Sequence, residues 1–176
     1  MNVSTLNGIR PHNNSLTRRE MTQDNTNRIV YRPATPNDAA TCMEIRGRTR
    51  ENAFSEKELN ALGITKETWA DDIRNGSMPG YVCCVDGTIA GYCFGDKDSG
   101  EVVVLALLPE YEGIGIGKAL LNRIVSDFRS MGFRRLFLGC AADPVVRSYG
   151  FYRHLGWSPT GERDELGDDI LELLLD

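Results

Sequence analysis

Leu107-Leu108-Pro109-Glu110-Tyr111-Glu112-Gly113-Ile114-Gly115-Ile116-Gly117-Lys118-Ala119-Leu120-Leu121 decides how this chain is read. An apolar strand breaks at Pro109, glycines alternate at 113, 115 and 117, and an amphipathic helix begins at once. With no Cβ in the way, alternating glycines turn the backbone tightly and leave its N–H groups open to a ligand. At a helix N-terminus those unpaired donors and the helix dipole both favour negative charge. A plain strand-to-helix turn needs one glycine; three suit a pyrophosphate.

Spacing separates the loops that bind phosphates. A Walker loop, G-x-x-x-x-G-K-[ST], would place its first glycine at Glu112 and its Mg²⁺-binding hydroxyl at Ala119, and so fails twice. A dinucleotide fingerprint needs G-x-G-x-x-G in the first βα unit, whereas this loop lies two-thirds along the chain. What fits is Glu112-x-x-Gly115-x-Gly117 ahead of a helix. Two further segments accompany it: Asp143-Pro144-Val145-Val146-Arg147-Ser148-Tyr149-Gly150-Phe151-Tyr152-Arg153-His154-Leu155-Gly156-Trp157, and the early Ile29-Val30-Tyr31-Arg32-Pro33-Ala34-Thr35-Pro36-Asn37-Asp38. Together, in this order, they resemble the landmarks of the GNAT superfamily of N-acetyltransferases. Those are an acyl-CoA loop [QR]-x-x-G-x-[GA], a helix and turn N-x-x-A-x-x-[FL]-Y-x-x-x-G-[FW], and an opening I-R-x-A-x-x-x-D. The resemblance covers residues 28–176. Two positions depart from it. Glu112 stands where the family has Gln or Arg, which removes a positive charge beside the phosphates; Val145 stands for Asn, which removes a polar contact to the cofactor.

Periodicity supplies the elements around these motifs. Ile29–Arg32 reads as a strand, and Thr35-Pro36 caps a helix running to about Arg48. A second helix, capped by Thr65 and carrying Trp69 and Ile73, stops at Gly76. Tyr81–Val85 and Thr88–Phe94 flank Asp86-Gly87, a two-residue hairpin turn. Glu101–Leu108 is a central strand, and the helix from Gly117 to about Met131 buries Leu120, Leu121, Ile124, Val125 and Phe128. Arg135–Cys140 is a buried strand; Asp143 caps and Pro144 begins the last helix; Ile170–Leu175 is the final strand. The fold class is α/β, a mixed and mostly antiparallel sheet with helices on both faces, which is also the acyl-CoA N-acyltransferase fold that the resemblance implies.

Composition narrows the function classes. At 176 residues, 41% hydrophobic and 26% charged, the chain fits one soluble domain with a core of its own. Residues 1–27 are polar, with no apolar signal segment, and read as a disordered leader ahead of a 28–176 domain; Met21 is an alternative start. No apolar run reaches the ~20 residues of a membrane span, so no membrane partner is expected. Five cysteines in apolar patterns read as buried reduced thiols of a cytoplasmic protein. With two histidines and no C-x-x-C, no metal is expected. Net charge is −5, and removing the four arginines and two acids of residues 1–28 leaves about −7 for the remainder. Such a surface disfavours nucleic acid and suits a cationic amine.

The resemblance implies an acetyl-CoA-dependent enzyme that passes acetyl directly to a primary amine, here of a small molecule. A protein N-terminal or lysine acetyltransferase and a catalytically silent acyl-CoA sensor are the rival readings. By the resemblance, Ala106, Leu107 and Leu108 lie where the central strand splays and offers main-chain N–H groups to pantetheine and thioester. Gly113, Ile114, Gly115, Ile116, Gly117 and Lys118 surround the pyrophosphate. Tyr152 matches the family's general acid, with Tyr149 one helical turn away as stand-in. The base is open: Glu101, at the mouth of the central strand, acts directly or through water. Glu51 is a candidate ligand for the cationic acceptor, and for both carboxylates a solvated surface role is the plain alternative. His154 reads as a helix C-terminal histidine, and the acidic run Glu162, Asp164, Glu165, Asp168 and Asp169 as a solvated loop. The family includes homodimers joined through the late strands, and no residue here is diagnostic of one.

Overall fold

Seven strands form one sheet in the order β1-β2-β3-β4-β5-β7-β6 in the computed structural model, which describes residues 28–176. The leader 1–27 and the alternative start at Met21 lie outside the described residues. The strands are β1 Ile29–Pro33, β2 Gly80–Val85, β3 Thr88–Asp96, β4 Glu101–Leu107, β5 Arg135–Cys140, β6 Ser158–Arg163 and β7 Asp169–Leu174. All neighbours pair antiparallel except β4 and β5, which are parallel. The expected mixed, mostly antiparallel sheet is therefore present, with a core on each face. One core packs α1 (Ala39–Arg46), α2 (Glu56–Ala61) and α3 (Lys66–Asn75) against Val82, Tyr92, Phe94 and Ala106. The other packs α4 (Ile116–Ser130) and Tyr152 of α5 (Arg147–His154) against Cys93, Val102, Leu136 and Leu138.

One extra residue shapes the centre of the sheet. Phe94 pairs with Val104 but Gly95 with Val102, so Val103 has no opposite number and forms a bulge, 44% exposed. Side chains alternate along a strand, and the bulge shifts that alternation by one. Val102 therefore enters the α4 core, while Val104 and Ala106, at even spacing from it, enter the α1–α3 core.

Four local expectations are corrected. The helix expected from Thr35 to about Arg48 is a 3₁₀ turn, Pro36–Asp38, followed by the shorter α1. Helix α2 was not expected, although Ser55 and Glu58 cap it reciprocally: Ser55 Oγ accepts from Glu58 N–H, and Glu58 Oε2 accepts from Ser55 N–H at 2.8 Å. Helix α5 starts at Arg147, not Pro144, because Asp143 closes a turn first; its side chain accepts from Val145 N–H at 2.9 Å and its carbonyl from Val146 N–H at 3.1 Å. Strand β6 was read as loop, since it contains Pro159 and Gly161 and is exposed along nearly its whole length. All five cysteines are buried free thiols, and no described helix is long and apolar enough to cross a membrane.

Candidate active site

Strands β4 and β5 touch at a single register pair, Glu101 with Phe137, where Phe137 N–H donates to Gly100 O at 3.2 Å. Beyond that pair they separate, and the sheet opens as a V. Which β4 donors face the opening follows from the antiparallel ladder to β3. Leu108 N–H donates to Ala90 O at 2.9 Å, so alternation turns Ala106 N–H toward β3 as well, and Leu105 and Leu107 N–H toward the gap. The expected trio of free donors is corrected accordingly. Leu107 and Leu105 N–H face the gap, whereas Ala106 and Leu108 have their N–H groups on the β3 side. That division follows from the pairing with β3, which no periodicity in Glu101–Leu108 announces.

At the open end of the V, Pro109–Tyr111 makes one 3₁₀ turn and the glycine loop leads into α4. Gly113 (φ +79°) and Gly115 (φ +90°) occupy the left-handed region, where a side chain is strained. Gly117 lies inside α4, and a Cβ there would sit 3.5 Å from the Phe151 ring, in ordinary contact with it. The first bond closing the helix runs from Ala119 N–H to Gly115 O at 3.1 Å. Among the described residues, the N–H groups of Gly113, Ile114, Gly115, Ile116, Gly117 and Lys118 have no acceptor. Ile116 is 1% exposed and anchors this run in the core, while Ile114 and Lys118 point outward. A row of unpaired donors at a helix N-terminus fits a diphosphate.

Glu112, which stands where the resembled family has Gln or Arg, gathers two cations. Its Oε2 accepts from Arg50 Nε at 2.9 Å and from an Arg147 Nη at 2.5 Å. Two guanidinium groups, from the α1–α2 loop and the start of α5, thus flank the Glu112 carboxylate. Glu51 joins the same strap, its Oε2 accepting from the backbone N–H of Arg147 at 3.0 Å. Its carboxylate thus caps the positive end of α5, a long-range pairing that sequence spacing does not reveal.

Tyr152 is 9% exposed, packed edge-on against Phe151 and Trp157. Burial pushes its phenol up, the Cys93 and Cys140 thiols add to this, and the Arg46 guanidinium opposes it. Cys93 pairs with Leu105 across the ladder, and Phe151 meets Gly117, so Tyr152 stands where gap and cradle converge. Tyr149, the stand-in, lies instead under the Arg153 guanidinium at 3.7 Å. Glu101 is half-buried at the apex of the V, four residues or ~13 Å of strand from Leu105. Burial, with Asp96 and Asp164 nearby, raises its pKa. His154 is the exposed last residue of α5.

A mixed sheet split between its parallel strands, with a glycine cradle opening the helix at the split, is the acyl-CoA N-acyltransferase fold. Residues 39–157 match the model of the acetyltransferase (GNAT) family, and the chain belongs to that family. An amino-acid acetyltransferase of Pseudomonas putida is 28% identical over 132 residues, 75% of this chain. The chain spans only 28% of the length of that curated relative. The PaiA N-acetyltransferase of Thermoplasma acidophilum, crystallised with coenzyme A, shares the fold at a TM-score of 0.71 and 22% identity, over 84% of this chain and 99% of its own. The ribosomal-protein-S18-alanine N-acetyltransferase of Escherichia coli shares it at 0.61 and 17%, over 82% and 91%.

Proposed function

We propose that this chain transfers acetyl from acetyl-CoA to the primary amine of a small molecule. One observation carries the reading: the unpaired N–H run at 113–118 lies at the mouth of a split sheet whose inner edge presents Leu105 and Leu107. Acetyl-CoA, bound there, supplies an acetyl group activated as a thioester. The residues that would hold it are Gly113, Ile114, Gly115, Ile116, Gly117 and Lys118 at the diphosphate, with Arg50 and Arg147 adding charge, and Leu105 and Leu107 along pantetheine and thioester. Preorganised donors of this kind are worth ~2.7–4 kcal/mol each where charge develops on a carbonyl oxygen. Tyr152, kept protonated by burial, is the proton source for the leaving sulfur. Glu101 removes the amine proton through a water relay. No metal enters the scheme.

The strap of Arg50, Glu51, Glu112 and Arg147 supports a small acceptor over a polypeptide, because it closes the cleft between the α1–α2 loop and α5. The name of the Pseudomonas relative points the same way. Thiol release from acetyl-CoA, measured against panels of small amines and of peptides, tests this. Turnover is expected with small amines, and Tyr152→Phe is expected to lower kcat about 100-fold while coenzyme A still binds. Turnover confined to peptides would establish the protein-modifying alternative. Coenzyme A binding without turnover of any amine would establish the acyl-CoA sensor.

A further inference from the structure

Arg46 closes α1 and is half-buried. Burial lowers its pKa, whereas the Tyr92 and Tyr152 phenols oppose that. A guanidinium has five N–H donors and keeps its charge in proteins. Here one acceptor is present, the carbonyl of Asn52, with the Phe54 ring stacked at 4.8 Å. No carboxylate lies within 4 Å of it among the described residues. Carboxylates are not scarce nearby: Arg48 has Glu44 and Glu110, Arg50 and Arg147 share Glu112, and Arg153 has Asp169. Arg46, half-buried, is left without a counter-charge.

A second group beside it is also unsatisfied. Tyr92 is fully buried, and its hydroxyl has no hydrogen-bond partner among the described residues. The Arg46 charge acts on this phenol as it does on Tyr152. Two donors thus meet with a single acceptor between them, and a half-buried cation without a counter-charge gains from an anion that joins it.

We infer that the acetyl acceptor carries a carboxylate, as an amino acid does, and that Arg46 binds it. The inference rests on the acetyltransferase reading and names its substrate class. A carboxylate matches the planar fork of guanidinium donors. Anchored at Arg46, an acceptor of amino-acid size would present its amine toward Tyr152 and the gap.

Matched acceptors test it: an amino acid, its α-amide, and the amine left when the carboxylate is removed, each assayed by thiol release. The acid is expected to have the highest kcat/KM by about 50-fold, the scale of a desolvated charge pair. Arg46→Gln is expected to raise KM for the acid by a similar factor, leave kcat within a few-fold, and level the three acceptors. Arg46→Lys, which retains the charge, should recover part of the preference, and coenzyme A should raise the melting temperature of each variant as in the wild type. Equal use of acid, amide and amine by the wild-type protein would overturn the inference and leave the acetyltransferase reading intact. A loss shared by all three acceptors in Arg46→Gln would show that Arg46 only ties down the loop at Asn52 and Phe54, and would overturn it too. If Arg46→Gln does not fold, the wild-type comparison decides. Failure of every amine defeats the parent reading as well.

Discussion

In the proposed reaction Tyr152 keeps its proton until sulfur leaves, and Glu101 has lost its own before the amine attacks. Burial disfavours the charged form of each acid, which serves Tyr152 directly and makes ionised Glu101 scarcer but more basic. For Tyr152 this holds the phenol neutral well past physiological pH. For Glu101 the direction is also upward, with Asp96 and Asp164 reinforcing burial, which brings a carboxyl closer to neutral pH and makes it a stronger base. Protonated Glu101 is inert as a base, so kcat/KM should fall as pH drops through a value above the ordinary carboxylate range of ~4.3. Glu101→Gln should remove that acid limb and lower the plateau by about 100-fold, with coenzyme A affinity unchanged. A pH–rate profile of the variant superimposable on that of the wild type would exclude Glu101 as the base. Its position at the apex of the V makes the variant informative, since its carboxylate takes part in no ion pair among the described residues.

Strand β4 shows how one residue reassigns a whole element. Because Val103 is extra, Val104 and Ala106 face α1–α3 while Val102 faces α4, and Leu105 and Leu107 turn their N–H groups into the gap. Deleting Val103 makes Val102 and Val104 neighbours, and ordinary alternation then keeps each on its present face, so cooperative thermal unfolding should survive the deletion; Val103→Thr, at an exposed position, should change stability by no more than ~0.5 kcal/mol. A deletion variant with no cooperative transition would show that the bulge itself, and not the alternation, is required. Elements governed by local rules were legible in the sequence. Arg135–Cys140 was read to the residue, and Asp86-Gly87 as a turn needing positive φ at both positions, observed at +50° and +82°. The glycine turn that opens α4 was legible for the same reason, since glycine spacing and helix start are local. Ser55-x-x-Glu58 was a readable cap that went unread. What the chain did not disclose is long-range: the bulge register, the Arg50–Glu112–Arg147 cluster, the Glu51 cap and the unpaired Arg46 all join residues distant in sequence.

Across the molecule, the two halves of the sheet are joined at the middle by the single Glu101–Phe137 pair and by α4, which packs on both. The donors along the inner edge of β4 and at the start of α4 face open space, so a ligand laid into the V supplies hydrogen-bond acceptors that the chain itself lacks. A ligand that binds only the folded state stabilises it by RT ln(1 + [L]/Kd), ~2.7 kcal/mol at a hundred times Kd. For a domain of this size each kcal/mol moves the melting temperature by about 2–4 °C, so coenzyme A at that excess should raise it by about 5–10 °C. The two ends of the site contribute differently. Pantetheine, which lacks the phosphates, can satisfy Leu105 and Leu107 but not the N–H run at 113–118, and at equal concentration it should give a far smaller shift. The shift with coenzyme A should also shrink as salt rises, because Arg50, Arg147 and Lys118 add charge to the cradle in partly exposed positions. Equal shifts from pantetheine and coenzyme A would locate binding in the strand gap alone and remove the cradle from the account. No shift at millimolar coenzyme A would remove the V as a binding site, and with it the reading of this fold as a working acetyltransferase.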